Sequence, residues 1–244
     1  MEKVLSITFI ISAFNEETTI ENSIKSILGA VNLFNNLDYE ILIINDASFD
    51  NTRSICERLL SKYDKVKLFN HEKNLGLGLV FKTGVKLASK KFILLYAGDD
   101  EAGTEGILPL LYSLNEADIL IPYPINNNIR GYFRSIISKL FVTLIRLISG
   151  INLNYYNGSV VHKKEIIEKY NLDTSGFGYQ ARLTIELIYD GYSFIQIPIK
   201  LNNNNDSQKK SYAFKLKNIL SISKTIYYLL YLRIKCILKI QNTK

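Results

Sequence analysis

Three short runs of this chain gather side chains that can do chemistry. ISAFNEE (Ile11 to Glu17), INDAS (Ile44 to Ser48) and AGDDE (Ala97 to Glu101) each put polar and acidic residues directly after an apolar stretch. Carboxylates can hold a divalent cation through oxygen ligands, and a cation neutralises a phosphate. Together the runs point to a polar, metal-bridged ligand such as a nucleotide diphosphate. The same residues also fit blander roles. Asp99, Asp100 and Glu101 suit an acidic turn and helix cap, and Asp46, Ser48 and Asp50 suit an Asx-turn or N-cap. His71 and His162 each stand alone, without metal-ligand spacing, and read as structural.

The apolar stretches before these runs must be the elements that position them. Leu5 to Ile11, Tyr39 to Asn45 and Lys91 to Ala97 are short, β-branched or aromatic, and do not alternate. That pattern predicts strands covered on both faces. Val66 to His71 reads as a further strand. Between the strands, Ile20, Ile24, Ile27, Leu28 and Val31 recur at helical spacing. Asp50 reads as an N-cap for a helix carrying Ile55, Leu59 and Leu60, and Leu79 to Ala88 reads as a helix. This alternation predicts right-handed βαβ units and a mostly parallel α/β sheet flanked by helices. Ligands bind at the C-terminal edge of such a sheet, where the three polar runs fall.

The chain has 244 residues, enough for one large domain, or one domain with a small extension. A chain of this size buries roughly 70% of its unfolded surface and needs no covalent staple. Cys56 and Cys236 lie far apart with no metal-type spacing, which excludes a disulfide framework. The apolar stretch from Val4 runs straight into a polar motif, so no signal peptide is expected. The net charge of +7 is uneven, with acids concentrated early and Lys and Arg dominant from Arg130 onward. No nucleic-acid motif accompanies them. Phe133 to Ile148 and Lys215 to Ile240 instead mix Leu, Ile and Tyr with Lys and Arg. Neither holds an apolar run of ~18–20 residues, so both read as amphipathic helices lying on a membrane surface.

The motifs resemble those of the family 2 glycosyltransferases, which adopt the GT-A nucleotide-diphosphosugar fold. Within that family they resemble the dolichyl- or polyprenyl-phosphate sugar transferase branch. ISAFNEE is similar to the first-strand motif, with Ser12 where Pro is usual. INDASFDNT is similar to the second, with Asn45 and Asp46 where two Asp are usual. HEKNLGLGLVFKTGVKLA (His71 to Ala88) and AGDDE follow in the family's order, and the likeness continues through RSIIS, NGSVVHKKEI and GYSFIQIPI.

The resemblance implies a transferase that takes a sugar from a nucleotide-diphosphosugar, inverts its anomeric centre, and passes it to a polyprenyl phosphate at the cytoplasmic face of a membrane. It implies a divalent cation, Mg²⁺ or Mn²⁺, held by Asp99 and Glu101, with Ala97 where the first Asp of the family's motif stands. Ser12, Ala13, Phe14, Glu16, Asp46, Lys73, Gly76 and Asp99 would bind the nucleotide-sugar, Asp46 accepting from the base. On the acceptor side Arg134, Ser138, Arg182 and Lys210 are the candidates, with Arg134 beside Asp99 in the catalytic role. Arg182 stands where the branch carries Glu, and a salt pair with Glu186 one turn on is its simplest use. Residues 1–122 then form a nucleotide-sugar half and 123–212 an acceptor half containing the interfacial helix 133–148. Residues 213–244 form a C-terminal amphipathic extension. Two other functions compete: a transferase acting on a hydroxyl acceptor, which needs a base near residue 186, and an inactive nucleotide-sugar-binding membrane subunit. A homo-oligomer or a membrane-protein partner is the further expectation for the apolar helices.

Overall fold

The computed structural model describes residues 4–126, 132–170, 178–202 and 216–241. In chain order the elements are β1 (Leu5–Ala13), α1 (Ile20–Val31), β2 (Leu37–Asn45), α2 (Thr52–Leu60), β3 (Val66–Asn70), α3 (Leu77–Leu87), β4 (Phe92–Ala97) and α4 (Gly103–Tyr112). Then follow β5 (Ile119–Pro124), α5 (Tyr132–Ser149), β6 (Val161–Lys163), α6 (Lys164–Ile167), α7 (Tyr179–Tyr189), β7 (Phe194–Ile199) and α8 (Leu216–Gln241). One seven-stranded sheet runs β3-β2-β1-β4-β6-β5-β7. Its strands pair in parallel except β6, which is antiparallel to both β4 and β5. The expected mostly parallel α/β sheet is therefore present, and β1, β2, β4, β5 and β7 all end on one edge.

Strand alternation divides the core into two layers. Ile7, Phe9 and Ile11 of β1 face the layer of α1, α2 and α4, through Ile20, Ile24, Ile27, Leu59 and Leu110. Ile10, with Leu42 and Leu95 of neighbouring strands, faces Val80 and Phe81 of α3, Leu183 and Leu187 of α7, and Leu229 and Leu232 of α8. Burying each of these side chains contributes about 1.5–3 kcal/mol. Cys56 belongs to the first layer, where burial pushes its thiol up to about 12. Both cysteines are free thiols.

Helix α2 starts at Thr52, and its cap differs in detail from the expected one. Asp50 serves it from two residues upstream, accepting the Thr52 N–H at 2.9 Å. Helices α5 and α8 occupy the spans that the sequence predicts. They pack on each other, and Arg233 Nη1 of α8 donates to the carbonyls of Leu147 (2.6 Å) and Ile148 (2.9 Å) of α5. Each turns one apolar stripe inward and another outward. Leu140, Leu144 and Leu147 on α5 are exposed, as are Tyr227, Leu230, Tyr231, Ile234 and Ile237 on α8. Among the described residues no helix is long and apolar enough to cross a membrane.

Candidate functional site

The loops after β1 and β2 are laced together by their own polar side chains. Asn15 donates its N–H to Ser48 Oγ (3.0 Å), and its Oδ1 accepts the Phe49 N–H (3.0 Å). The Glu16 N–H goes to Thr52 Oγ1 (2.7 Å), and Glu17 Oε2 accepts from the Asn51 N–H and side-chain amide. Asn45 in turn accepts from the Ser48 hydroxyl at 2.6 Å. These bonds hold an unusual backbone in place. One non-glycine residue in each polar loop lies in the left-handed region: Asn15 (φ 58°), Ala47 (φ 58°) and Asp100 (φ 55°). Each such residue costs roughly 1–2 kcal/mol, and such strain gathers at functional sites.

Asp46 closes a third loop onto this pair. Its Oδ1 accepts from His71 Nδ1 (2.6 Å) and the Leu75 N–H (2.9 Å), and its Oδ2 from the Gly76 N–H (2.8 Å). His71 Nε2 meets Thr83 Oγ1 of α3 at 3.0 Å. The Asp46 side chain is 4% exposed, and three of its roughly four acceptor positions are occupied. It shapes the path from β3 into α3. His71, structural as expected, is its partner, and no spacing in the sequence announces the pair.

In the third run the three acids have different surroundings. Asp100 turns inward, accepting from the Tyr96 hydroxyl (2.7 Å) and the Ser26 hydroxyl (3.0 Å). Burial raises its carboxyl above the ordinary range against the pull of those two donors. Asp99 and Glu101 are half-buried at the edge, and Asp99 Oδ1 accepts the Glu101 N–H at 3.3 Å. A Cβ on Gly98 would sit 2.7 Å from the Ser12 carbonyl, so glycine is what lets this loop lie against β1. Among the described residues no three His, Cys, Asp or Glu side chains converge as a metal cage. Two carboxylates still fit Mg²⁺ or Mn²⁺, which commonly take one or two protein carboxylates and complete their shell with substrate phosphates.

Beside Glu101 opens a cavity of about 160 Å³. Ser12, Ala97 and Glu101 line one wall. Pro122, Pro124, Ile199 and Leu201, from β5 and the β7 end, line another. Tyr155, Asn157, Ser159 and Gln180 close the far side. Gln180 Nε2 donates to the Gly158 carbonyl at 3.0 Å. A Cβ on Gly158 would lie 2.8 Å from the Pro122 carbonyl, so this glycine lets the 157–159 backbone press against β5. Asn157 Oδ1 is buried and has no hydrogen-bond partner. An unpaired buried acceptor costs about 1–3 kcal/mol.

The remaining sequence candidates scatter around this frame. Ala13 is buried and its carbonyl accepts the Asp46 N–H at 2.8 Å. Phe14 is exposed, its ring edge-on to Phe49 with centroids 5.9 Å apart. Glu16 is half-buried, its side chain lying over Gly98. Lys73 is exposed on the loop before α3. Arg134 and Ser138 lie one turn apart on α5, where Ser138 is half-buried and the Arg134 side chain lies outside the described residues. Lys210 lies outside them too. Arg182 makes no ion pair with Glu186. Its guanidinium sits 3.9 Å from the Tyr228 ring centroid, and the Tyr228 hydroxyl donates to Glu186 Oε1 at 2.9 Å. The expected salt pair is replaced by a contact of each side chain with Tyr228 of α8. His162 is buried in the second layer, and burial pushes it down to about 3, so it is neutral.

The family model described as Glycosyl transferase family 2 matches residues 8–170. The dolichol-phosphate mannosyltransferase of Pyrococcus furiosus is 27% identical over 237 residues, covering 93% of this chain and 64% of the relative. The cholesterol galactosyltransferase of Borreliella burgdorferi is 33% identical over 112 residues, covering 46% of this chain and 30% of the relative. The chain thus spans less than two thirds of the length of either. Among solved structures, glucosyl-3-phosphoglycerate synthase from Mycobacterium tuberculosis, in complex with Mn²⁺, UDP and glucosyl-3-phosphoglycerate, superposes with a TM-score of 0.61. Identity is 16%, over 93% of this chain and 80% of that one, so the likeness is one of fold.

Proposed function

The chain belongs to glycosyltransferase family 2, and from that premise we propose that it moves a sugar from a nucleotide-diphosphosugar onto a polyprenyl phosphate at a membrane surface. The observation that carries this reading is the cavity at the C-terminal sheet edge, with Glu101 on its wall and Asp99 two residues away on the same loop. The reaction has simple needs. An acceptor oxygen attacks the anomeric carbon from the face opposite the diphosphate. The bond to the diphosphate breaks, its electron pair leaves with that group, and the anomeric configuration inverts. A divalent cation held by Asp99 and Glu101, when bound, neutralises the charge that builds on the leaving diphosphate. A phosphate acceptor is already ionised, so it needs positioning rather than a base. Arg134 and Ser138 on α5 are the candidates to position it. Phe14 and Phe49 offer exposed rings to the nucleoside on the open side of the loops.

Membrane placement draws on α5 and α8. Their exposed apolar stripes lie on helices that carry Lys and Arg and no acidic residue. Such a face suits an anionic bilayer, where each basic residue near the surface adds about 1 kcal/mol.

One observation favours a second acceptor class. Among the described residues lining the cavity there is no Lys, Arg or His, while Glu101 is present. A lipid alcohol would need a base; in this second reading Glu101, on the cavity wall, takes the proton and the cation rests on Asp99. Glu186, nearest the position expected for a base, is instead bonded to Tyr228 under α8.

The test uses the full chain, Mn²⁺, sugar-labelled donors and anionic vesicles containing either polyprenyl phosphate or a sterol. Label entering the phosphate lipid supports the first acceptor, and label entering only the sterol supports the second. Donor binding with no transfer to either would overturn both and leave a binding subunit.

A further inference from the structure

We infer that Asn157 and Gln180 read the hydroxyl groups of the transferred sugar and thereby decide which nucleotide-diphosphosugar the chain uses. This rests on the donor reading above and assigns one part of the donor to one part of the site. The cavity, at about 160 Å³, is smaller than the roughly 300–1,000 Å³ of pockets that enclose a whole small-molecule ligand. It can therefore enclose one portion of a nucleotide-diphosphosugar, not all of it.

The lining says which portion. Among the described residues that form it there is no cation to meet a phosphate, and its one carboxylate, Glu101, belongs to the loop at its edge. A diphosphate fits that edge and not the interior. The nucleoside fits the open side near Phe14 and Phe49. The neutral, hydroxyl-bearing sugar is what the interior suits, with Tyr155 and the two prolines as an apolar wall.

Two amides on the far wall have the chemistry to discriminate. A hydroxyl both donates and accepts, and an amide side chain offers a donor and an acceptor in one fixed plane. Asn157 Oδ1 is buried without a partner, so a sugar hydroxyl would supply the donor it lacks. Gln180 is held on the same wall by its bond to the Gly158 carbonyl. Gly158 presses the segment against Pro122, so neither amide can retreat from a hydroxyl of the wrong configuration. A site built to hydrogen-bond a hydroxyl discriminates strongly, because the wrong ligand leaves its polar groups unpaired.

The experiment measures binding to the full chain by calorimetry with Mn²⁺ present. Probes are nucleoside diphosphates, the corresponding nucleotide-diphosphosugars in epimeric pairs, and polyprenyl phosphate or sterol in detergent. Wild-type protein is compared with Asn157→Ala and Gln180→Leu. Asn157 has no partner at Oδ1 to lose, so its variant keeps the fold, and circular dichroism checks both. The expected result is a loss of about 10-fold or more for the preferred nucleotide-diphosphosugar, a collapse of the preference between epimers, and a change of less than about 2-fold for the diphosphate alone. Equal changes for sugar-bearing and sugar-free nucleotides would overturn the inference. So would an effect confined to the acceptor lipid, which would make this the acceptor pocket. Wild-type protein that binds no nucleotide-diphosphosugar would overturn the donor reading itself, a separate outcome from folded variants that bind like wild type.

Discussion

The carboxylates of the first four strands and the amides of the second half differ in how their polar atoms are satisfied. Glu40 on β2 accepts from the Thr8 hydroxyl, from the Ser89 N–H and hydroxyl, and from Lys67 Nζ. Asp46 accepts three N–H donors from one loop, and Asp100 takes two hydroxyls. Across the cavity, Asn157 Oδ1 has no partner, and deeper in the same half Tyr179, Arg182 and Thr184 of α7 also keep buried polar atoms unpaired. Each of these carboxylates ties a neighbouring segment to the sheet through two or more donors. Unpaired polar atoms next to a cavity have no structural use and point to a ligand. The inference that Asn157 meets a ligand rests on this difference together with its place on the cavity wall.

The contrast breaks most visibly at Asp99. It lies half-buried at the edge of the cavity, its Oδ1 accepting the Glu101 N–H at 3.3 Å. Asp99→Ala should abolish cation-dependent donor binding, because a diphosphate would then face the remaining carboxylates unshielded. Calorimetric titration of donor with and without Mn²⁺ checks this, and undiminished affinity would remove the metal assignment.

On the outer surface, the double substitution Leu230→Glu and Ile234→Glu should release much of the protein from anionic vesicles. Both residues are exposed on α8, so the fold and donor affinity should be retained. Sedimentation with vesicles at low and high salt reads the effect. Removing α8 entirely would be a poorer test, since Leu229 and Leu232 belong to the second core layer.

At the saturated end of the comparison, Glu40→Gln should cost about 2–3 kcal/mol at neutral pH, by loss of a charge-assisted network. Burial alone would raise the Glu40 carboxyl, but Lys67, Ser89 and Thr8 outweigh it and lower it from 4.5 to about 2. A depressed folded-state value contributes stability that is fully present above about 4.5 and is lost as pH falls toward 2. Urea unfolding across that window should therefore show a shallower acid loss in the variant. The smallest effect is expected at Ala47. Replacing it by Gly relieves the left-handed penalty but adds freedom to the unfolded chain, for a net gain of about 0.5–1 kcal/mol. A melting temperature that falls would show that the loop's hydrogen bonds do not fix that backbone.

Strand and helix positions in the first hundred residues were legible because buried parallel strands and amphipathic helices leave strong local patterns. The position of Asp99 and Glu101 was legible for the same reason, since both follow the apolar strand β4. The partners of Asp46 within the fold were not, because His71, Leu75 and Gly76 come from a different βα loop. Strand β6 has three residues, too few for any period to show, yet it reverses direction between β4 and β5 and sets where the 155–159 segment lies. Asn157 and Gln180 are isolated amides 23 residues apart. Only the fold brings them to one wall. The nearest signal was the run NGSVVHKKEI, which continues the family resemblance without marking Asn157 as a site residue.

The account stands most directly on whether this edge binds a nucleotide-diphosphosugar with a cation. A thermal-shift screen of the full chain against such donors, with Mn²⁺ present, measures it. A donor at 100 times its Kd stabilises by about 2.7 kcal/mol, which for a chain of this size raises the melting temperature by roughly 5–10 °C. That shift is expected for one sugar–base combination, with its loss on chelation and its loss in Asp99→Ala. A flat response to every donor, with cation present and protein folded, would contradict it.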